Sequence, residues 1–400
     1  MEENMKVLVI NCGSSSVKYQ IIETETEQVL CKGLCELAGE KSTFSYEKTG
    51  ADKMKETLNF ADHGEAVARI ISTITDPEIG CIKDASEIGG IGHRILHGGD
   101  KYTASILVDE DVKEAIKECI PLGPLHNPAN LIGIEAAEKA MPGTPNVAVF
   151  DTAFHQSKAP EAFLYAVPYN YYTDYKVRKY GFHGTSHRYI SLKAPELLGK
   201  KPDEVKLINC HIGNGASLCA IEYGKCIDTS MGISPLEGLM MGTRSGDIDP
   251  TVVTYIMQKE GKTAEEMLNI LNKKSGLLGI CGKSDMREVD AAAEAGDAQA
   301  ELALKMYARR IQGYIGNYYV QLHGCDAIVF TAGIGEHDAE MRARVCDGLD
   351  LLGIKLDPEK NKKGELIIST DDSPVKILLV PTDEELMIAN DTAEIVSALN

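Results

Sequence analysis

The sequence predicts an α/β fold in duplicate, and three observations carry that prediction. Strand and helix patterns alternate along the chain, as in domains built on a largely parallel or mixed sheet. Each half opens with a strand, a turn of small residues and a second strand: "LVINCGSSSVKYQII" at 8–22 and "LINCHIGNGASLCAIE" at 207–222. At 400 residues, 44% hydrophobic and 25% charged, the chain has globular composition and room for two domains with cores of their own.

In chain order, residues 5–11 and 17–23 read as strands joined by the Gly-Ser turn. "EAVARIISTI" has helical periodicity, and "EIGGIGHRILHGG" is a strand with a Gly-rich exit. "LIGIEAAEKAM" is a helix and "NVAVFDTAFH" a strand ending in polar residues. From Val205 the pattern restarts with "VKLINCHI", the turn "GNGA", "SLCAIEYG" and "KCIDTS". The helix "AELALKMYARRIQGYIGNYYVQL", the strands "CDAIVFTAGIGE" and "VKILLVPTDEE", and a helix from Leu386 complete it. The matching "INC" triplets, 10–12 and 208–210, add to the shared layout. No low-complexity linker separates the halves.

Charge and cysteine usage exclude several classes. A net charge of −19 argues against general affinity for nucleic acid or an anionic membrane. The acidic N-terminus is no signal peptide, and no stretch is long enough to span a bilayer. Eleven scattered cysteines without a C-x-x-C pair indicate reduced, buried thiols in a cytoplasmic protein.

Seven segments could carry chemistry. Three small-residue turns ("GSSS" at 13, "GNG" at 213, "AGIGE" at 332) let backbone N–H groups approach phosphate oxygens, although none is a P-loop. In "GHRILHGGD" the spacing of His93 and His97 would suit zinc on a helix, but the segment reads as a strand. Its Arg94 needs an anionic partner, either a structural carboxylate or a ligand. Asp151, at the end of a strand in "FDTAFHQ", is a base, a metal contact or a helix cap. His183 in "RKYGFHGTSHRYI" is a buried, hydrogen-bonded histidine or a catalytic one. "PLEGLMMGTRSGDIDP" (235–250) reads as a binding loop whose only cation is Arg244, paired either with Asp247 or Asp249 or with an anion in transfer. Phosphate-type turns, two arginines, a histidine and carboxylates together suggest phosphoryl transfer. No G-x-S-x-G elbow supports a serine hydrolase.

These segments resemble the acetate kinase family. "VLVINCGSSSVKYQ", "HRILHGG", "PLHNPAN", "FDTAFH", "YGFHGTSH", "HIGNGAS", "PLEGLMMGTRSGDIDP", "FTAGIGE" and "PTDEEL" match its motifs in order from residue 7 to 386. The resemblance implies a duplicated actin-like (ribonuclease H-like) ATPase fold with a central cleft: an N-terminal domain of residues 1–151 plus 386–400, and a C-terminal domain of 152–385 with most of the nucleotide site. It implies reversible transfer of the ATP γ-phosphoryl group to acetate, giving acetyl phosphate and ADP, with Mg²⁺ or in its place Mn²⁺, in a cytoplasmic homodimer.

Residue by residue, the resemblance makes Asn11 and Glu384 metal contacts and Lys18 a nucleotide contact. Arg94 matches the acetate- and phosphoryl-binding arginine, and Arg244 the transition-state arginine. His183 matches the histidine on the transferring phosphoryl, and Asp151 the acid/base or arginine-orienting carboxylate. His126 lies near the substrate end. His211, Ile212, Gly213, Asn214 and Gly215, then Asp285, Met286 and Arg287, then Gly333, Ile334, Gly335, Glu336 and His337 match nucleotide contacts. Since acetate is a poor base, Asp151 is expected mainly to orient an arginine or a metal-bound water.

The departures are few. "TDEE" replaces "TNEE", setting Asp383 beside Glu384 and bearing on metal affinity; "GIGEH" replaces "GIGEN" and "DMRE" replaces "DVRD", bearing on nucleotide preference. The rivals are propionate kinase of the same family, the more distant butyrate kinase, an inactive actin-like nucleotide-binding protein, and a phosphatase-like hydrolase.

Overall fold

A computed structural model of the protein describes residues 4–13, 15–124 and 126–399. Ser14 of the first turn, Leu125 of "PLHNPAN" and both ends of the expected N-terminal domain lie outside the described residues. The chain divides into two units, Met1–Ala153 with Asp383–Asn400, and Phe154–Thr382. The C-terminal helix, Glu384–Ser397, starts two residues before the expected Leu386, and its N-cap is Asp383. The division at 382/383, against the expected 385/386, therefore keeps Glu384 with Arg94 and Asp151.

In the first unit, strands β1 (Lys6–Cys12), β2 (Ser16–Glu23), β3 (Gln28–Glu36), β4 (Ser42–Lys48), β5 (Met54–Leu58), β6 (Ile88–Ile95), β7 (Ile106–Leu107) and β8 (Asn146–Phe150) form one sheet in the order β5-β4-β3-β2-β1-β6-β8-β7. β1 runs antiparallel to β2 and parallel to β6, which is parallel to β8. The second unit holds β9 (Lys206–Ile212), β10 (Ala216–Glu222), β11 (Lys225–Thr229), β12 (Ala327–Thr331) and β13 (Lys376–Leu379) in the order β11-β10-β9-β12-β13. β9 runs antiparallel to β10 and parallel to β12, as β1 does to β2 and β6. The same order and polarity recur in β3-β2-β1-β6-β8, so the fold is the duplicated actin-like one.

The hairpin registers fix which residues correspond. Lys6 pairs with Glu23 and Cys12 with Val17; Lys206 pairs with Glu222 and Ile212 with Ala216. Lys6 thus corresponds to Lys206, and Asn11 to His211. The "INC" triplets are out of register by two residues, so their identity of letters is not the repeat; the strand–turn–strand layout is.

β1 is buried from Val7 to Ile10 because helices cover both faces of the sheet. On one face the C-terminal helix lies against β6, where Gly92 makes room: a Cβ there would stand 2.5 Å from Thr392 Oγ1 and 2.6 Å from Ile388 Cγ2. On the other, the Asn127–Ala140 helix approaches so closely that a Cβ on Gly133 would meet Cys12 Sγ at 2.5 Å. In the second unit the Ala298–Gln321 helix buries Ala300, Leu304, Tyr307, Ile311, Ile315 and Tyr318, a three-to-four spacing that forms one apolar stripe. That stripe is core. No helix among the described residues is long and apolar enough to cross a membrane.

Candidate active site

In the first unit the predicted residues gather where β1, β6 and β8 end. Parallel strands present their carboxyl ends to ligands. Arg94, near the end of β6, donates from Nη2 to Asp151 Oδ2 at 2.5 Å, and its Nε lies 3.7 Å from Glu384 Oε2. Asp151 directly follows β8 and is fully buried; its own N–H donates to Ile95 O at 2.9 Å. Its carboxylate takes the arginine, as an arginine-orienting role requires. Burial opposes the charge on Arg94, but Asp151 and Glu384 outweigh it and raise the guanidinium's pKa. Arg94 Nε is buried without a hydrogen-bond partner among the described residues.

Glu384 opens the C-terminal helix, so the packing of that helix over Gly92 delivers it to Arg94. Burial pushes its carboxyl up to about 7, with Arg94 opposing the rise and Asp151 adding to it. A buried carboxylate in that state gains from a nearby cation. Asn11 pairs directly across the hairpin with Lys18 on the same face, and the Lys18 charge reaches Glu384. The oxygen donors of Asn11 and Glu384 suit a hard cation such as Mg²⁺. Asp383 accepts from Leu386 N at 2.8 Å. Its carboxylate is thus used as a helix cap, a task asparagine performs equally, and is not simply an added charge at the metal contact.

His126 stands at the N-cap of the Asn127–Ala140 helix, its N–H donating to Gly123 O at 3.1 Å. The residues around it do more structural work than the sequence indicated. Asn127 donates to His97 O and Ile116 O, while Asn130 donates to Cys12 O at 2.6 Å and accepts from Leu96 N at 3.0 Å. Asn130 therefore ties the exits of β1 and β6 together, one residue beyond Asn11 and two beyond Arg94. Their signal was the i, i+3 pair of asparagines inside "HNPAN". His93 points to Asn146 Oδ1 at 2.7 Å, and burial pulls its pKa down to about 4, which leaves a neutral structural histidine.

In the second unit His183 is the N-cap of the Gly184–Leu197 helix, with φ 56° and ψ 29°. A left-handed histidine at a helix start is a constrained conformation, and such residues concentrate at functional sites. The chain reaches it through Gly181 at φ +91°, where a Cβ would lie 2.3 Å from Thr229. A hydrogen-bond relay then fixes the imidazole. Asn209 Nδ2 donates to His187 Nδ1 at 2.8 Å, so His187 carries its proton on Nε2 and donates to Ser217 Oγ at 2.8 Å. Ser217 Oγ lies 2.8 Å from His183 Nδ1, and with Ser217 as the donor the His183 proton is assigned to Nε2. Burial holds the His187 pKa far below its ordinary value, which keeps that imidazole neutral.

His183 Nε2 faces Gly215 beside Arg244: a Cβ at Gly215 would lie 3.4 Å from Arg244 Nη1 and 3.6 Å from His183 Nε2. Arg244 donates to Pro235 O at 3.2 Å and has no carboxylate partner among the described residues. Asp247 instead engages Gly238 N, Tyr314 Oη and Arg310, and Asp249 caps the Pro250–Glu260 helix. The loop is stitched down, with Gly242 N donating to Asn214 O and Ser275 N to Thr243 O. Burial lowers the Arg244 pKa, as expected of a cation held without a counter-charge.

The nucleotide-matching segments divide. Gly213, Asn214, Asp285, Met286, Arg287, Gly333, Ile334 and His337 line one cavity of about 840 Å³, of a size for a small-molecule ligand. His211, Ile212, Gly215, Gly335 and Glu336 are not on its wall. His211 stacks on His183 at 4.1 Å between ring centroids and bonds Ser186 Oγ. Ile212 is buried, and Gly335 packs against it. Glu336 accepts from Ala332 N at 2.8 Å and Thr382 N at 3.2 Å. "AGIGE" is no Gly loop but the short helix Ala332–His337, which the left-handed Ala332, φ 64°, starts directly from β12. Glu336 takes its first N–H, that of Ala332, so that group is not open to a phosphate. Asp285 caps the Met286–Glu294 helix, and its salt bridge to Arg287 lowers its pKa to about 2.

The family model for the acetokinase family matches residues 6–390. The chain belongs to the acetokinase family. It is 56% identical over 401 aligned positions to an acetate kinase of Thermotoga maritima, covering 99% of this chain and all of that one. An acetate kinase of Thermoanaerobacterium thermosaccharolyticum is 53% identical over 99% of this chain and all of its own. The crystal structure of Porphyromonas gingivalis acetate kinase superposes with a TM-score of 0.93 at 46% identity, covering 98% of this chain and all of that one. A propionate kinase from Francisella tularensis superposes equally, at 0.93 and 41% identity with the same coverage.

Proposed function

We propose that this chain catalyses reversible transfer of the γ-phosphoryl group of ATP to acetate, giving acetyl phosphate and ADP. The family match across residues 6–390 carries the reading. The chemistry of the residues agrees with it. An acetate oxygen forms the new bond to phosphorus as the bond to the β-phosphate oxygen breaks, and no proton need be removed from acetate. The charge that spreads over the phosphoryl oxygens needs fixed donors.

Arg244 supplies a cation with no carboxylate to release, and His183 supplies an N–H donor from Nε2. Arg94, oriented by Asp151, binds the acyl carboxylate and the phosphoryl oxygens. His126 lies at the acyl end. The cavity lined by Asn214, Asp285 and Ile334 takes the nucleoside of ATP or ADP, and Lys18 its phosphates. Asn11 and Glu384 would hold Mg²⁺, which when bound neutralises phosphate charge. In this reading the protein works in the cytoplasm as a homodimer.

The test is acyl phosphate formation from ATP with acetate, propionate and butyrate, with and without Mg²⁺. Turnover should be greatest with acetate and should need the metal. A preference for propionate would reassign the acyl pocket, since one methylene changes selectivity only ~10–200-fold. No turnover on any acid would remove the kinase reading.

A further inference from the structure

We propose that Cys81 and Cys31 are a hydroperoxide-responsive thiol pair that closes reversibly to a disulfide. Cys31 is buried in β3; Cys81 lies beyond the His63–Ile74 helix and is half-buried, with its Sγ 3.2 Å from Cys31 Sγ. A disulfide bond is about 2.05 Å long, so the sulfurs need approach by only about 1 Å.

The geometry is held from several sides. Tyr46 Oη donates to Ile79 O at 3.0 Å, Lys48 Nζ to Gly80 O at 2.8 Å, and Cys81 N to Ile74 O at 3.0 Å. Lys48 stands directly opposite Cys31 in the β3–β4 register, so the anchor of the Cys81 loop is also the cation beside both sulfurs. This is the arrangement of a redox-sensing cysteine: an accessible thiol in an electropositive setting with a resolving thiol at hand. The hydrogen bond shared with Cys31 lowers the Cys81 pKa, and Tyr46 and Lys48 act the same way against burial. Cys325, the other half-buried thiol, is pushed by burial up to about 12, and the remaining cysteines are buried.

The chemistry balances with a hydroperoxide as oxidant. The Cys81 thiolate attacks the peroxide oxygen, and its S–O bond forms as the O–O bond breaks; with one proton the products are Cys81 sulfenic acid and water, or an alcohol from an alkyl hydroperoxide. Cys31 sulfur then displaces the sulfenic oxygen, which leaves with the Cys31 proton as water. Two thiols are oxidised and one peroxide is reduced. The bond would join β3 to a segment 50 residues away, closing a loop that contains β4, β5 and the His63–Ile74 helix.

The test is peptide mapping and thiol counting of the full chain after limited hydrogen peroxide. Wild type should lose two of its eleven thiols, about 2 Da in mass, as a single Cys31–Cys81 linkage that a dithiol reverses. Cys31→Ser should trap Cys81 as a dimedone-reactive sulfenic acid, and Cys81→Ser should leave Cys31 unmodified. Cys31→Ala, checked by circular dichroism, serves if Cys31→Ser fails to fold. First reaction at another cysteine, a linkage between other residues, or eleven unchanged thiols would overturn the proposal.

Discussion

The carboxyl ends of corresponding strands in the two units carry opposite kinds of residue. In the first unit, β1, β6 and β8 present Asn11, Arg94 and Asp151. The registers place His211, Thr331 and Thr382 at the same three positions of the second, since Ile10 pairs with His93 as Cys210 pairs with Phe330. The first set is charged and includes an ion pair at 2.5 Å. The second holds neither arginine nor carboxylate: His211 and Thr382 both bond Ser186, while Glu336 reaches toward Thr331 and takes the Thr382 N–H. There the arginine comes from the 235–250 loop instead, and the histidine from a left-handed helix start. One topology thus supports two solutions. One cation is tethered to a carboxylate, and the other is half-buried without one.

The largest effect that would break this contrast is on stability. Asp151→Ala removes the near carboxylate of Arg94 and leaves it only Glu384 at 3.7 Å, and should destabilise the protein by about 2 kcal/mol in denaturant titration. Arg244→Ala removes a cation with no charged partner and should cost about 1 kcal/mol. Equal losses in the two variants would erase the distinction. Ser217→Ala, which cuts the relay to His183, should lower kcat roughly 10–100-fold with little change in KM, because a donor is mispositioned rather than a binding group lost. Nitrogen-15 spectra should show the His183 proton no longer confined to Nε2, and an unchanged tautomer would place its control elsewhere.

Much of this contrast could not be read from the sequence. The paired openings were legible because strand–turn–strand layouts are local, yet the identical "INC" letters pointed to a register two residues away from the real one. Arg94, Asp151, His183 and Arg244 stood out as charged or titratable residues in apolar or glycine-rich settings. Asn209 and Ser217 did not, since each lies within a buried strand and acquires meaning only from a partner across the hairpin or on a helix. "AGIGE" misled for a related reason: glycines suggested a loop, while Glu336 folding back onto Ala332 N makes it a helix.

Smaller effects sharpen the account of the first unit. Glu384 has a folded-state pKa raised to about 7, so between its unfolded value near 4.5 and about 7 the folded state binds the extra proton. Its contribution to stability is therefore most favourable below that window and declines as pH rises through it. Denaturation of the metal-free protein from pH 5 to 8 should show that decline, and Glu384→Gln should remove it. Mg²⁺ affinity should rise over the same window, since the cation needs the ionised carboxylate. Asp383→Asn keeps a good helix cap, and should change stability by less than about 0.5 kcal/mol. A large change in Mg²⁺ affinity would show that the Asp383 charge reaches the metal.

The most direct measurement is steady-state turnover of ATP and acetate by Arg94→Ala and Arg244→Ala, each confirmed folded. Both should lose kcat by at least about 100-fold, as fixed transition-state donors do, and only Arg94→Ala should also raise KM for acetate. Near-normal kcat in either variant would contradict the division of one reaction between a paired and an unpaired arginine.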